Sequence, residues 1–216
     1  MNIKRFIADL FYPTRCPCCH EFISYTQDFC EKCKNSFTLY KKHDKIENCD
    51  LFLSLYVYDE KIKPAVMLLK DGTGGNSPYA FACMLYRLIK EKELSADLIC
   101  PVPMFKADEE KRGYNQCNLI AKELSAMTGI EWSKKALLKT KETKSQKELS
   151  ATERKQNLSD AFYADSEIVK GKSIILLDDV CTTGSTLKSA AEKLKMAGAE
   201  YIIALTCCKT EEKQKL

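Results

Sequence analysis

The chain has 216 residues, 45% of them apolar and 30% charged, with a net charge of +4. That length allows one α/β domain with a small appendage, and the composition excludes a long disordered chain. A charge this small does not by itself point to a nucleic-acid-binding protein.

Ile3, Phe6, Ile7, Leu10 and Phe11 fall at helical spacing and predict a short amphipathic helix, stopped by Pro13. Its stripe is expected to dock on the rest of the chain, with a membrane surface as the alternative. Asp9 interrupts the apolar run and no small-residue cleavage site follows, so the start does not read as a signal peptide. No apolar run approaches the roughly 18 residues that a membrane span needs. The expectation is a cytoplasmic protein with no integral membrane span. In that setting 12 cysteines read as free or metal-bound thiols rather than disulfides.

Residues 14–40 form a cysteine module. Cys16, Cys19, Cys30 and Cys33 make two Cys-x-x-Cys pairs with ten residues between them. Each pair offers two thiolates from one tight turn, and two such turns complete a closed tetrahedral site suited to Zn²⁺. Zinc held by four thiolates has no open position, so its role here is structural. Cys18 and His20 adjoin Cys19 and leave the register open, although Cys19 keeps the two-residue gap. A redox pair or disulfide module is the alternative.

Residues 41–50 are polar and read as a linker. Residues 51–58 are rich in aromatic and β-branched residues and predict a strand. Helical spacing returns over 60–70, ending at Lys70 before the glycine-rich turn 71–75, and again over 78–94. A short apolar strand is predicted at 98–102. A charged stretch, 106–115, reads as a loop carrying Arg112, with Gly113 as its hinge. A helix is predicted at 119–127, and a short strand at 136–138 opens the basic segment 134–155. Residues 173–177 and 201–205 are continuous apolar runs, as in buried parallel strands, with a helix between them over 187–197. Strand, helix and strand in succession make a βαβ unit, whose strands lie parallel.

The sharpest chemical signal is Asp178-Asp179-Val180-Cys181-Thr182-Thr183-Gly184-Ser185-Thr186. Ligands of open parallel sheets bind at the carboxyl ends of strands. The helix that follows presents unpaired N–H groups and a partial positive charge, which favour phosphate. Gly184 permits close backbone approach, and Thr182, Thr183, Ser185 and Thr186 add hydroxyl donors. Asp178 and Asp179 repel phosphate but accept hydrogen bonds from ribose hydroxyls, and carboxylates also hold Mg²⁺. A plain helix cap uses one such side chain, not all of these. Cys181 lies near a helix start, a place that lowers a thiol pKa, yet it reads better as a loop residue than as a nucleophile.

This run resembles the PRPP-binding loop of type I phosphoribosyltransferases. Pro101-Val102-Pro103, then Lys111-Arg112-Gly113-Tyr114-Asn115-Gln116, then Gln146, Arg154, Asn157, Ala161 and Phe162, with the two N-terminal cysteine pairs, narrow the resemblance to the ComF family of competence-associated proteins. The resemblance implies a type I phosphoribosyltransferase-like α/β fold, a parallel sheet flanked by helices, over 46–216, behind an N-terminal helix and zinc ribbon over 1–45. It implies that Asp178 and Asp179 hold the ribose and residues 181–186 the 5′-phosphate of PRPP or ribose 5-phosphate, with Mg²⁺. Lys70 and Arg112 then meet the diphosphate as catalytic residues, although Asp71-Gly72-Thr73-Gly74-Gly75 is less basic than the family pattern there. Two roles follow. One is phosphoribosyl transfer to an acceptor that no motif identifies. The other is a non-catalytic PRPP sensor or accessory protein of natural transformation, with single-stranded DNA and a competence helicase as partners.

Overall fold

The computed structural model describes residues 3–71, 75–140 and 161–211. In chain order they form α1 (Ile3–Phe11), α2 (Glu31–Ser36), β1 (Leu51–Val57), α3 (Lys63–Leu68), α4 (Ser77–Glu91), β2 (Leu98–Pro101), α5 (Lys106–Arg112) and α6 (Gln116–Thr128). There follow β3 (Glu131–Trp132), β4 (Leu137–Lys139), β5 (Phe162–Ala164), α7 (Ser166–Val169), β6 (Ser173–Cys181), α8 (Ser185–Met196) and β7 (Tyr201–Lys209).

The main sheet runs β1-β7-β6-β2-β3, and all its pairs are parallel. Its strands alternate between two cores, as a sheet covered on both faces requires. Ile99, Ile175, Leu177, Ile203 and Leu205 face α3, α4, α6 and the cysteine module. Leu98, Cys100, Ile174, Leu176, Ile202 and Ala204 face α8 and the antiparallel β4–β5 pair. Cys16, Phe29, Cys30 and Phe37 belong to the first of these cores, where Phe29 meets Phe37 and Phe81 edge-on. The cysteine module is therefore packed onto the sheet.

Several boundaries differ from the sequence expectations. β6 and β7 each run four residues past their apolar stretches, to Cys181 and Lys209, and stay in register to the end. Thr206, Cys207, Cys208 and Lys209 are all buried, so pairing extends where hydropathy alone stops the strand. α6 starts three residues early because Asn115 caps it, accepting from the Cys117 N–H at 2.8 Å. That cap contributes about 1 kcal/mol. The charged stretch 106–115 is not a loop. Its first seven residues form α5, which buries no side chain and so carries no apolar period to read. Asp108 and Glu109 in its first turn and Lys111 and Arg112 in its last complement the helix dipole.

The N-terminal helix also docks differently. Ile3, Ile7, Leu10 and Phe11 are exposed. α1 is held instead through Arg5, whose guanidinium donates to Tyr25 O and Asn76 Oδ1 and lies 3.4 Å over the Tyr79 ring. A planar fork that meets two oxygens and a ring outweighs a short apolar stripe. Among the described residues, no helix is long and apolar enough to cross a membrane. The matching residues Gln146, Arg154 and Asn157, and most of the basic segment 134–155, lie outside the described residues.

Candidate functional site

The site is built at the carboxyl end of β6. The strand carries Asp178, Asp179 and Cys181 to the sheet edge, residues 182–184 turn, and α8 begins at Ser185. Gly184 caps that helix in the left-handed region, φ +81°. A Cβ there would lie 3.0 Å from Ile46 Cδ1, so the segment read as a linker supplies a wall of the turn. Thr182 and Thr183 are exposed, while Ser185 and Thr186 are half-buried. The Thr183 and Ser185 hydroxyls lie 3.0 Å apart. The hydroxyls and the glycine expected of an anion cradle thus lie within one turn.

Cys181 departs from expectation. It is the last residue of a strand, not a loop residue, and it is buried. Burial pushes its thiol up to about 11, so the nearby helix start does not activate it.

Asp179 is buried and contacts two side chains from other elements. Lys70 Nζ lies 2.9 Å from its Oδ2, and Gln116 Nε2 donates to the same oxygen at 3.3 Å. Gln116 Oε1 in turn accepts from Arg112 Nη1 at 2.7 Å. Lys70, Asp179, Gln116 and Arg112 form one continuous chain of polar contacts. Burial lowers the Lys70 pKa, but the Asp179 carboxylate more than offsets this and holds the ammonium charged. Asp178 accepts from Cys117 Sγ at 3.6 Å. Burial, and then the Asp179 charge, push the Asp178 carboxyl well above the ordinary carboxylate range.

Lys70 and Arg112 line one open cleft of about 610 Å³ together with Asp71, Met104, Asp108 and Lys111. Arg112 reaches it from the end of α5, where Gly113 (φ +86°) stops the helix. Sequence reasoning assigned no role to Asn115, Gln116 or Lys209, although all three bear on the site. Asn115 Nδ2 donates to Val102 O at 3.0 Å and ties the start of α6 to the end of β2. The Asn115-Gln116 pair stood within a quoted motif, but its contacts are long-range and leave no local pattern.

In the cysteine module, the four Sγ atoms of Cys16, Cys19, Cys30 and Cys33 lie within 4.8 Å of one another. Cys19 Sγ and Cys30 Sγ are 3.6 Å apart. A tetrahedron with Zn–S bonds of about 2.3 Å has S–S edges of about 3.8 Å, so this donor set fits Zn²⁺. The backbone N–H groups of Cys30 and Cys33 donate to Cys16 Sγ and Cys30 Sγ. Cys18 points elsewhere, to Lys61 O, which resolves the register in favour of Cys19.

Comparison with known proteins agrees with both halves. Residues 7–44 match the double zinc ribbon domain, and residues 110–216 match the phosphoribosyl transferase domain. The chain is 28% identical over 188 residues to competence protein F of Haemophilus influenzae, a match covering 81% of each chain. It is 35% identical over 150 residues to competence protein ComFC of Bacillus subtilis, covering 67% of this chain and 58% of that one. The chain belongs to the ComF family. Another relative is the DNA utilization protein YhgH of Escherichia coli K12, 36% identical over 114 residues, 53% of this chain. The chain spans about half the length of that relative. For this ComF-type chain the parallel sheet with its flanking helices is that of a type I phosphoribosyltransferase-like domain.

Proposed function

We propose that this protein binds PRPP or ribose 5-phosphate at the carboxyl end of β6, in the cytoplasm. One observation carries the reading: two carboxylates stand directly beside a hydroxyl-lined turn at a helix N-terminus. The anion cradle takes the 5′-phosphate through Thr182, Thr183, Gly184, Ser185 and Thr186, with Cys181 closing the turn from beneath. Asp178 and Asp179 accept from the ribose hydroxyls, and their oxygens are ligands of the type Mg²⁺ takes. Mg²⁺, when bound with PRPP, supplies charge neutralisation at the diphosphate.

Lys70 and Arg112 share the neighbouring cleft and are placed to meet the diphosphate. In the free protein Lys70 is engaged by Asp179, so a diphosphate competes with that carboxylate for the ammonium. In phosphoribosyl transfer, positive charge develops on the ribose as diphosphate leaves. Positioning and electrostatics carry such a reaction, with Lys70 and Arg112 stabilising the leaving group. Zn²⁺ in the four-cysteine site holds the module together and takes no part in chemistry.

The test is calorimetric titration of PRPP with Mg²⁺ into wild type and into Asp178→Asn/Asp179→Asn. Heat in the wild type, competed by ribose 5-phosphate and lost in the double variant, is expected. Absence of heat in the wild type overturns the reading. A second role is favoured by the names of the relatives, which concern competence and DNA utilization. In that role the PRPP site regulates a protein that handles single-stranded DNA beside a helicase of the transformation machinery. PRPP that binds but is never consumed with any nucleobase, together with a mobility shift of single-stranded DNA, favours the accessory role over the enzyme.

A further inference from the structure

Lys209 is the one buried cation among the described residues, 8% exposed at the end of β7. Among those residues it has no carboxylate within ion-pair distance. Its ammonium donates instead to two backbone carbonyls, Thr182 O at 2.7 Å and Thr210 O at 2.9 Å. The Thr210 hydroxyl donates to the same Thr182 carbonyl at 3.3 Å, and the Thr210 N–H donates to Cys181 O. The end of β7 therefore clamps the first residue of the hydroxyl-rich turn from behind.

A buried ammonium without a counter-charge is costly, and an anion arriving nearby relieves part of that cost. Thr182 is also the place where a stray carbonyl would do most harm, since its oxygen would repel a phosphate lodged in the turn. With that oxygen held by Lys209, the turn is left to present N–H and O–H groups to its ligand.

We propose that Lys209 is a positioning residue for phosphate-monoester recognition. It fixes the Thr182 carbonyl away from the anion cradle and lends the cradle its missing positive charge. The proposal rests on the phosphate reading of the turn and deepens it. The 5′-phosphate, rather than the diphosphate, becomes the group whose binding depends on Lys209, because Lys70 and Arg112 stand on another cleft.

The test measures binding of inorganic phosphate, ribose 5-phosphate and magnesium pyrophosphate to wild type, Lys209→Met and Lys209→Arg. Lys209→Met is expected to lose about tenfold or more in affinity for phosphate and ribose 5-phosphate, the size of one charge-assisted hydrogen bond. Magnesium pyrophosphate affinity should stay within about twofold, and Lys209→Arg should recover most of the loss, which a merely structural role would not produce. Wild type that binds neither phosphate nor ribose 5-phosphate defeats the underlying reading. Wild type that binds both, with Lys209→Met binding them equally well, defeats the role of Lys209 alone. If Lys209→Met does not fold, the wild type is labelled with ¹³C-lysine and the Lys209 Cε resonance is followed during phosphate titration. A shift that saturates with binding supports the proposal, and an unmoved resonance overturns it.

Discussion

Gly184→Ala tests the construction of the turn directly. At φ +81° an alanine occupies the left-handed region, which costs an L-residue about 1 kcal/mol. Its Cβ also meets Ile46 Cδ1 at 3.0 Å, so the buried isoleucine must give by a few tenths of an ångström, for about another 1 kcal/mol. Gly113 provides the control. It has a similar φ of +86° but nothing within 4 Å of a built Cβ, so Gly113→Ala costs only the backbone share. Ile46→Val removes the obstructing Cδ1, and in that background Gly184→Ala should cost no more than Gly113→Ala. Urea unfolding in zinc-replete buffer measures wild type, the three single variants and the Gly184→Ala/Ile46→Val double variant, with midpoints compared at constant m. In a domain of this size each kcal/mol also moves Tm by about 2–4 °C. Equal losses for Gly184→Ala and Gly113→Ala, or a Gly184→Ala penalty that Ile46→Val leaves unchanged, would refute the idea that the segment before β1 walls the turn.

Three further outcomes are expected. Asp178, raised by burial and by Asp179, contributes stability that is fully present below the unfolded carboxylate pKa of about 4. That contribution is lost as pH rises through the raised folded value, so Asp178→Asn should be about 1 kcal/mol more stable than wild type at pH 7.5 while losing ligand; thermal melts at pH 4 and 7.5 that show no widening gap would count against it. Asp28 is buried against Arg87 and accepts from the Phe29 N–H at 2.8 Å, and Asp28→Asn should cost about 1–2 kcal/mol because the half-exposed Arg87 can return to water. Chelation of zinc, or Cys30→Ser, should lower the stability of the sheet as well as of the module, since Cys16, Cys30 and Phe37 lie in the same core as Phe81; a far-UV melt identical with and without chelator argues against this.

What could be read from the sequence follows from how locally each feature is encoded. β6, β7 and the helix between them were legible because both strands are continuous apolar runs and α8 repeats leucine and alanine at helical period. The acids, hydroxyls and glycine of the turn were legible because a single stretch of chain carries them all. The four zinc-site cysteines were legible by spacing, and geometry added only the exclusion of Cys18. α5 was missed because a helix that buries nothing has no apolar face. The contacts of Lys70 with Asp179, of Gln116 with Arg112 and Asp179, and of Lys209 with Thr182 were beyond reach. In all but the Gln116–Arg112 contact they join residues far apart in the chain, and a lone Lys or Gln has no pattern that says where it lands.

The strand order also bears on how a ribosome makes this protein. β1 meets residues 38–40 along one edge, but its strand partner in the main sheet is β7, and about two thirds of the chain separates the two. The aromatic and aliphatic β1 thus emerges long before its partner exists. At roughly 5–20 residues per second, it waits on the order of ten seconds or more with its β7-facing edge open. During that wait it is a template for aggregation, and the nascent chain is expected to lean on chaperones until β7 is complete. Until Lys209 is in place, neither the sheet nor the clamp on Thr182 is finished, so the ligand turn is among the last parts of the molecule to mature.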